Sequence, residues 1–251
     1  MVIQPNVQTD TVVKAFLRSE LQLIRSQQKL MSVLPRELAS DYRYIPEILL
    51  GRFFHPTTDS RLNRIAQSEE RPGSLLIPRV NGQQVSWNNL IKQIRDDSQY
   101  LKFETYGRPF DSSELKPNAS CELFSGKQYV YKPADLELFR KNIVSIQMNF
   151  LVNLWNLVRF NPAFVRAYLS LSNDAFQMLA DTEMNAFVEV TNVVLFPRFI
   201  QYDSGRRDVK VFAWAYEIMS DVLDGFIPRE NIENLRIEFS LKESIEKLKT
   251  F

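Results

Sequence analysis

Apolar positions along the chain recur mostly with the 3.6-residue period of an α-helix, and prolines, glycines and short polar residues cut that period into segments. Val13, Phe16, Leu17, Leu21, Ile24 and Met31 keep helical spacing after Asp10, a residue able to cap a helix, and Pro35 ends the pattern. Between Pro35 and Pro78, prolines at 35, 46, 56, 72 and 78 leave only short helical pieces, Glu47–Phe54 and Asp59–Gln67, which need a larger body to pack on. Leu75, Leu76, Ile77 and Val80 lead into Asn81-Gly82, with Val85 and Trp87 beyond, so a small β-hairpin is expected near 75–87. Helical spacing then returns over Trp87–Tyr106 through Leu90, Ile91, Ile94 and Leu101.

A polar stretch with Gly107, Pro117 and Gly126 follows, and Pro133 is suited to the first turn of a helix because its missing N–H would have no intrahelical partner. Leu136, Phe139, Ile143, Ile146, Phe150, Leu154, Leu157 and Val158 then keep one face apolar over about 25 residues, roughly 38 Å of helix. Asn161-Pro162 interrupts it. Three shorter helices are expected next: Pro162–Leu169, Ala175–Ala180 capped by Ser172 or Asn173, and Met184–Val190 capped by Asp181 or Thr182. Val193–Ile200 reads as extended, and Val209, Phe212, Ala213, Tyr216, Met219 and Leu223 read as a further helix stopped by Gly225. Leu235, Ile237, Phe239 and Leu241 alternate like a short strand, and Lys242–Lys249 pairs charges like a surface helix. The pattern predicts a mainly α fold, with α+β as the alternative. It divides the chain into an N-terminal helical module (1–106), an irregular linker (107–132) and a C-terminal helical module (133–251).

Composition narrows the chemistry. The 251 residues carry 31 Lys and Arg against 30 Asp and Glu, so no long-range field draws the whole molecule to nucleic acid or an anionic membrane. Cys121 is the single cysteine, which rules out an internal disulfide and points to a packing role in a reducing compartment. Met1–Asp10 has neither a basic start nor an apolar run, and the uncharged Asn142–Val158 is short and holds Gln147, Asn149, Asn153 and Asn156; a cytoplasmic chain without a membrane span is expected. His55 is the only histidine, set between Phe54 and Pro56, and reads as structural. Glu69-Glu70 and Asp96-Asp97 are sequence neighbours, which point about 100° apart on a helix rather than converging. Seven glycines form no phosphate-cradling loop. No catalytic, metal or cofactor-binding constellation emerges.

The order Ile146-x-Met148-x-Phe150-Leu151, then Leu169-Ser-Leu-Ser-Asn-Asp-Ala-Phe, then Leu179-Ala180 and Val188, then Thr191-Asn192 before an apolar tail ending near Arg198-Phe199, resembles the FlhD-type subunit of the bacterial flagellar transcriptional regulator. Ser170 stands where that family favours glycine, and Pro197 enters the tail. The resemblance covers 145–199 and implies an all-helical module that dimerises or docks on a partner. The resulting expectation is a non-enzymatic adaptor or structural subunit of a bacterial multiprotein assembly, such as a secretion or motility machine. An FlhD-like regulator acting on DNA with a partner subunit is the alternative. Its partners would be other protein subunits, with a second copy of the chain among them, and nucleic acid would be met only indirectly. Phe150, Trp155 and Tyr168 are the candidate interface residues, provided they face outward rather than into the core. Arg206 and Arg207, after Ser204-Gly205, are candidate anion contacts, as is the series Arg52, Arg61, Arg64, Arg71 and Arg79.

Overall fold

The computed structural model describes residues 7–33, 47–68, 73–80, 83–96, 120–122, 128–130, 132–185, 193–203 and 210–226. In chain order these form α1 (Val7–Val33), α2 (Glu47–Phe53), α3 (Pro56–Gln67), β1 (Leu76–Val80), β2 (Gln83–Gln84), α4 (Trp87–Asp96), β3 (Ser120–Glu122) and β4 (Gln128–Val130). There follow α5 (Pro133–Phe160), α6 (Pro162–Tyr168), α7 (Asn173–Asp181), β5 (Val193–Pro197), β6 (Phe199–Asp203), β7 (Lys210–Trp214) and α8 (Ala215–Leu223). Helix predominates among the described residues, so the fold is mainly α.

The helix boundaries follow local chemistry. α5 begins on Pro133 and α6 on Pro162, whose N-cap Asn161 accepts from the Phe164 N–H at 3.2 Å. Ser172 caps α7 through the Ala175 N–H at 3.2 Å, and Ser86 caps α4 through the Asn89 N–H at 3.0 Å. α6 ends with Ser170 at φ 54°, where the Leu171 N–H reaches the Arg166 carbonyl at 2.9 Å and the Ser170 N–H reaches that of Ala167 at 3.3 Å. This pair of bonds is the Schellman ending that usually places glycine in the left-handed position. Asn88 of α4 holds the turn, donating to the Ser170 carbonyl at 3.2 Å and accepting from the Ser172 N–H at 2.9 Å.

The hairpin near 75–87 is present as β1 and β2, with Val80 opposite Gln83. β1 is also paired along its whole length with β5, from Leu76 opposite Pro197 to Val80 opposite Val193, giving the order β2-β1-β5. Pro78 is tolerated in this central strand because its carbonyl faces β2, where it accepts from Val85 N–H at 3.0 Å; the missing N–H costs nothing on the β5 side. Leu195, opposite Pro78, turns its own backbone groups away from β1. Its N–H donates to Gln147 Oε1 at 3.0 Å and its carbonyl accepts from Gln27 Nε2, so buried glutamines of α5 and α1 cover the outer edge of β5.

The two segments expected as separate modules share one core instead. α1 packs along α5, with Phe16 and Phe150 ring centroids 5.0 Å apart, and a single apolar cluster takes residues from α1 through α8. Around Phe16 gather Phe150, Phe164 and Tyr168, and around Phe53 gather Phe196, Trp214 and Tyr216. Pairing between strands more than a hundred residues apart in sequence leaves no trace in local periodicity.

Three further expectations change. α1 starts at Val7, so Asp10 lies inside the helix rather than at its cap. Lys210–Trp214 is a strand paired with β6, and the helix begins only at Ala215. Residues 145–199, expected from the resemblance to be all-helical, end instead in β5 and the start of β6, where Val193–Ile200 is extended as its own pattern suggests. Within the expected linker, β3 and β4 pair with Cys121 opposite Tyr129. The turn Asn81-Gly82, most of Met184–Val190, and everything after Phe226 lie outside the described residues.

Candidate docking surfaces

Of the expected interface residues, Phe150 and Tyr168 are buried and Trp155 is half-buried. Phe150 is fully enclosed between Phe16 and Trp87, on the inward stripe of α5. Tyr168 is 4% exposed because its hydroxyl is consumed inside the molecule, donating to Glu20 Oε2 at 2.6 Å. Glu20, also fully buried, accepts through Oε1 from Ser74 Oγ at 2.7 Å and from Leu75 N–H at 2.9 Å, tying α1 to the entry of β1 and the end of α6. Gly73 lets the chain pass close there, since a Cβ would stand 3.3 Å from the Tyr168 carbonyl, the acceptor of Ser74 N–H. Trp155 donates through Nε1 to the Thr182 carbonyl at 3.1 Å, and the Arg159 guanidinium lies over its ring 3.2 Å from the centroid. The other two tryptophans likewise spend their indole N–H on carbonyls, Trp87 on Leu76 and Trp214 on Leu49.

The arginine series is built into the fold rather than into an anion groove. Arg52 of α2 donates from Nε to Glu217 Oε1 at 3.0 Å and from a terminal nitrogen to Oε2, and reaches the Phe212 carbonyl at 2.8 Å. Glu217 also accepts from the Trp214 N–H at 3.0 Å, so one carboxylate both caps α8 and anchors α2. One turn further along α8, Asp221 pairs with Arg61 at 3.3 Å, and Asp224 just beyond the helix pairs with Arg64 at 2.6 Å. Arg79 is buried in β1 with its guanidinium 5.8 Å from the Phe196 ring centre. Arg71, Arg206 and Arg207 lie outside the described residues. His55 is a cap, its Nδ1 accepting from Thr57 N–H at 3.4 Å at the start of α3. Tyr216, beside this network, has its hydroxyl pKa pushed far up by burial and by the Glu217 charge, against smaller opposing effects of Thr58, Arg52 and Arg61.

Two outward helix faces are left. On α5, successive residues turn by about 100°, which places Leu138, Asn142, Ser145, Asn149, Asn153, Asn156 and Phe160 in one stripe about 80° wide and about 33 Å long. Leu138 is 60% exposed and Phe160 49%, while the residues between them are neutral amides and a hydroxyl, exposed or half-buried. Periodicity found the buried face of this helix, but the outward one was signalled by the absence of charge from 142 to 158. On α1, the outward face carries Lys14, Arg18, Gln22, Arg25 and Lys29. No described helix is long and apolar enough to cross a membrane.

Comparison of the chain with protein-family models, with curated proteins and with solved structures gives no match.

Proposed function

We propose that the chain is a non-enzymatic adaptor or structural subunit of a multiprotein assembly, docking on another protein subunit through the outward stripe of α5. The observation that carries this reading is the stripe itself. An exposed helix face in water is ordinarily laced with Lys, Glu, Arg and Asp, whereas the centre of a protein interface is depleted of charge and anchored by large apolar side chains. Between Leu138 and Phe160 the face of α5 has the second character, with amides able to bond across to a partner and an apolar anchor at each end. The occupant suited to it is a helical surface of equally low charge, because a charged partner would lose hydration there without gaining a counter-ion. A bacterial setting, of the secretion or motility kind, rests on the resemblance of 145–199 to the FlhD-type subunit.

The test is purification of the full chain from its native source, with Asn149→Arg/Phe160→Glu in parallel. The reading expects an assembly larger than the monomer containing a defined second subunit, lost in the variant while the melting transition stays in place. A chain that is monomeric and partnerless at its native concentration refutes it.

A further inference from the structure

Every outward charge on α1 between Thr11 and Val33 is positive. Lys14, Arg18, Arg25 and Lys29, with Gln22 among them, fall within a stripe about 80° wide at 100° per residue, and the row spans about 22 Å. The one acid in that stretch, Glu20, points the other way and is consumed in the core by Ser74, Leu75 and Tyr168. Arg25 and Lys29 stand four residues apart, a spacing at which like charges destabilise a helix. The contrast lies within the same molecule: Arg52, Arg61 and Arg64 each face a carboxylate at α8, whereas Arg25 is matched only with the neutral Asn63 Oδ1, and among the described residues no carboxylate pairs with Arg18 or Lys29.

We infer that this row of α1, centred on Arg18, Arg25 and Lys29 with Gln22 and Asn63 beside them, binds the phosphate backbone of a nucleic acid. Cations interleaved with neutral amide donors are the side chains that meet phosphate oxygens, and they need no apolar anchor. The absence of such an anchor separates this face from a protein interface. The exposed large apolar residues among those described are Leu138, Phe160, Met184 and Phe226, none of them on α1, so the row also has nothing to insert into a lipid surface. The contact is independent of sequence and of the α5 stripe, and stands whether or not the adaptor reading does.

The experiment measures fluorescence anisotropy of a labelled duplex of about 20 base pairs with the full-length chain, across about 50 to 200 mM salt. Three phosphate contacts give a slope of log K against log salt near −2.7, or about a 40-fold loss of affinity over that range. Arg18→Gln/Lys29→Gln leaves one contact, so the slope flattens to about −0.9 and the loss to about fourfold. Both side chains are exposed, and the melting transition of the variant should not move. Lys92→Gln, half that loss of charge at an exposed site on α4, should leave the slope unchanged. An unchanged slope in the double variant, an equal flattening with Lys92→Gln, or retention on phosphatidylserine vesicles or polyglutamate as strong as on the duplex each overturns the assignment.

Discussion

Tyr168→Phe tests whether the centre of the molecule is held by the buried Glu20 or whether Tyr168 serves a surface. The substitution removes one oxygen and leaves the ring, which packs 5.5 Å from Phe16 edge-on and 5.1 Å from Phe164 in a stack, so no cavity opens. What is lost is the 2.6 Å bond to Glu20 Oε2, leaving Glu20, 0% exposed, with its bonds to Ser74 and Leu75 on the other oxygen. A hydrogen bond to a carboxylate contributes about 1.5–3 kcal/mol net, and the full burial of Glu20 places the effect in the upper half of that range, about 2–3 kcal/mol. For a chain of this size that corresponds to a fall in Tm of roughly 4–12 °C. Urea unfolding should show the midpoint moving down with the slope unchanged, since the same surface is exposed on unfolding. A double-mutant cycle with Glu20→Gln should give a coupling of at least about 1 kcal/mol. A change below about 0.5 kcal/mol would refute the reasoning. Weakened assembly without loss of stability would return Tyr168 to the surface role expected from sequence.

Phe150→Ala, at a fully buried ring, should cost about 3–5 kcal/mol in urea unfolding, because transfer and cavity terms add; an unchanged midpoint would mean the ring is exposed. Arg52→Met should cost about 2 kcal/mol by the same assay, reduced from the value for a fully buried pair because the Arg52 side chain is 38% exposed, and no loss would mean that Glu217 finds other partners. Tyr216 keeps its proton in the folded chain well above the ordinary tyrosine value, so its contribution is fully present below about pH 10 and is lost as pH rises further; by about pH 11 wild type should have lost about 1.4 kcal/mol relative to Tyr216→Phe, and parallel profiles for the two would contradict this. Ser170→Val should destabilise by about 1–2 kcal/mol through the left-handed backbone at φ 54°, while Ser170→Gly should be near neutral; equal midpoints for both would show that the turn relaxes.

The legible parts of the fold were those decided within a few residues. Pro133, Asn161-Pro162 and Ser172 fix helix starts through groups next to them in sequence, and the hairpin needed only two apolar runs around Asn81-Gly82. β7 reads as helix in the sequence because it leads into α8 without a polar break: Phe212, Ala213 and Tyr216 satisfy a helical period as well as the end of one strand and the first turn of a helix. The burial of Tyr168 was invisible because its partner is Glu20, and nothing in a sequence marks one glutamate among many as the one that turns inward. The same holds for Arg52 and Glu217. Both sit on short, unremarkable segments, and their pairing decides how α2 meets α8.

The packing gives the two long helices different outward chemistry while demanding the same of their inward sides. α1 and α5 contribute Phe16, Leu23, Ile24, Phe150, Leu151 and Leu154 to one core, and both also spend a buried glutamine on Leu195. Their outward sides are released from that constraint, since no core contact depends on Arg18, Lys29 or Asn149. Helix propensity alone would fill such positions with acids and bases four residues apart on the one helix. Instead α5 carries neutral side chains along its outward stripe, and between Thr11 and Val33 α1 carries only positive charges on its outward side. Asparagine is a weak helix former and adjacent cations repel, so neither face favours the isolated chain. Substitutions toward the ordinary pattern, such as Asn149→Glu with Asn153→Lys, should hold or raise the melting temperature of the purified chain while abolishing its assembly. If they lower stability instead, the amide row is packed within the molecule and is no docking face.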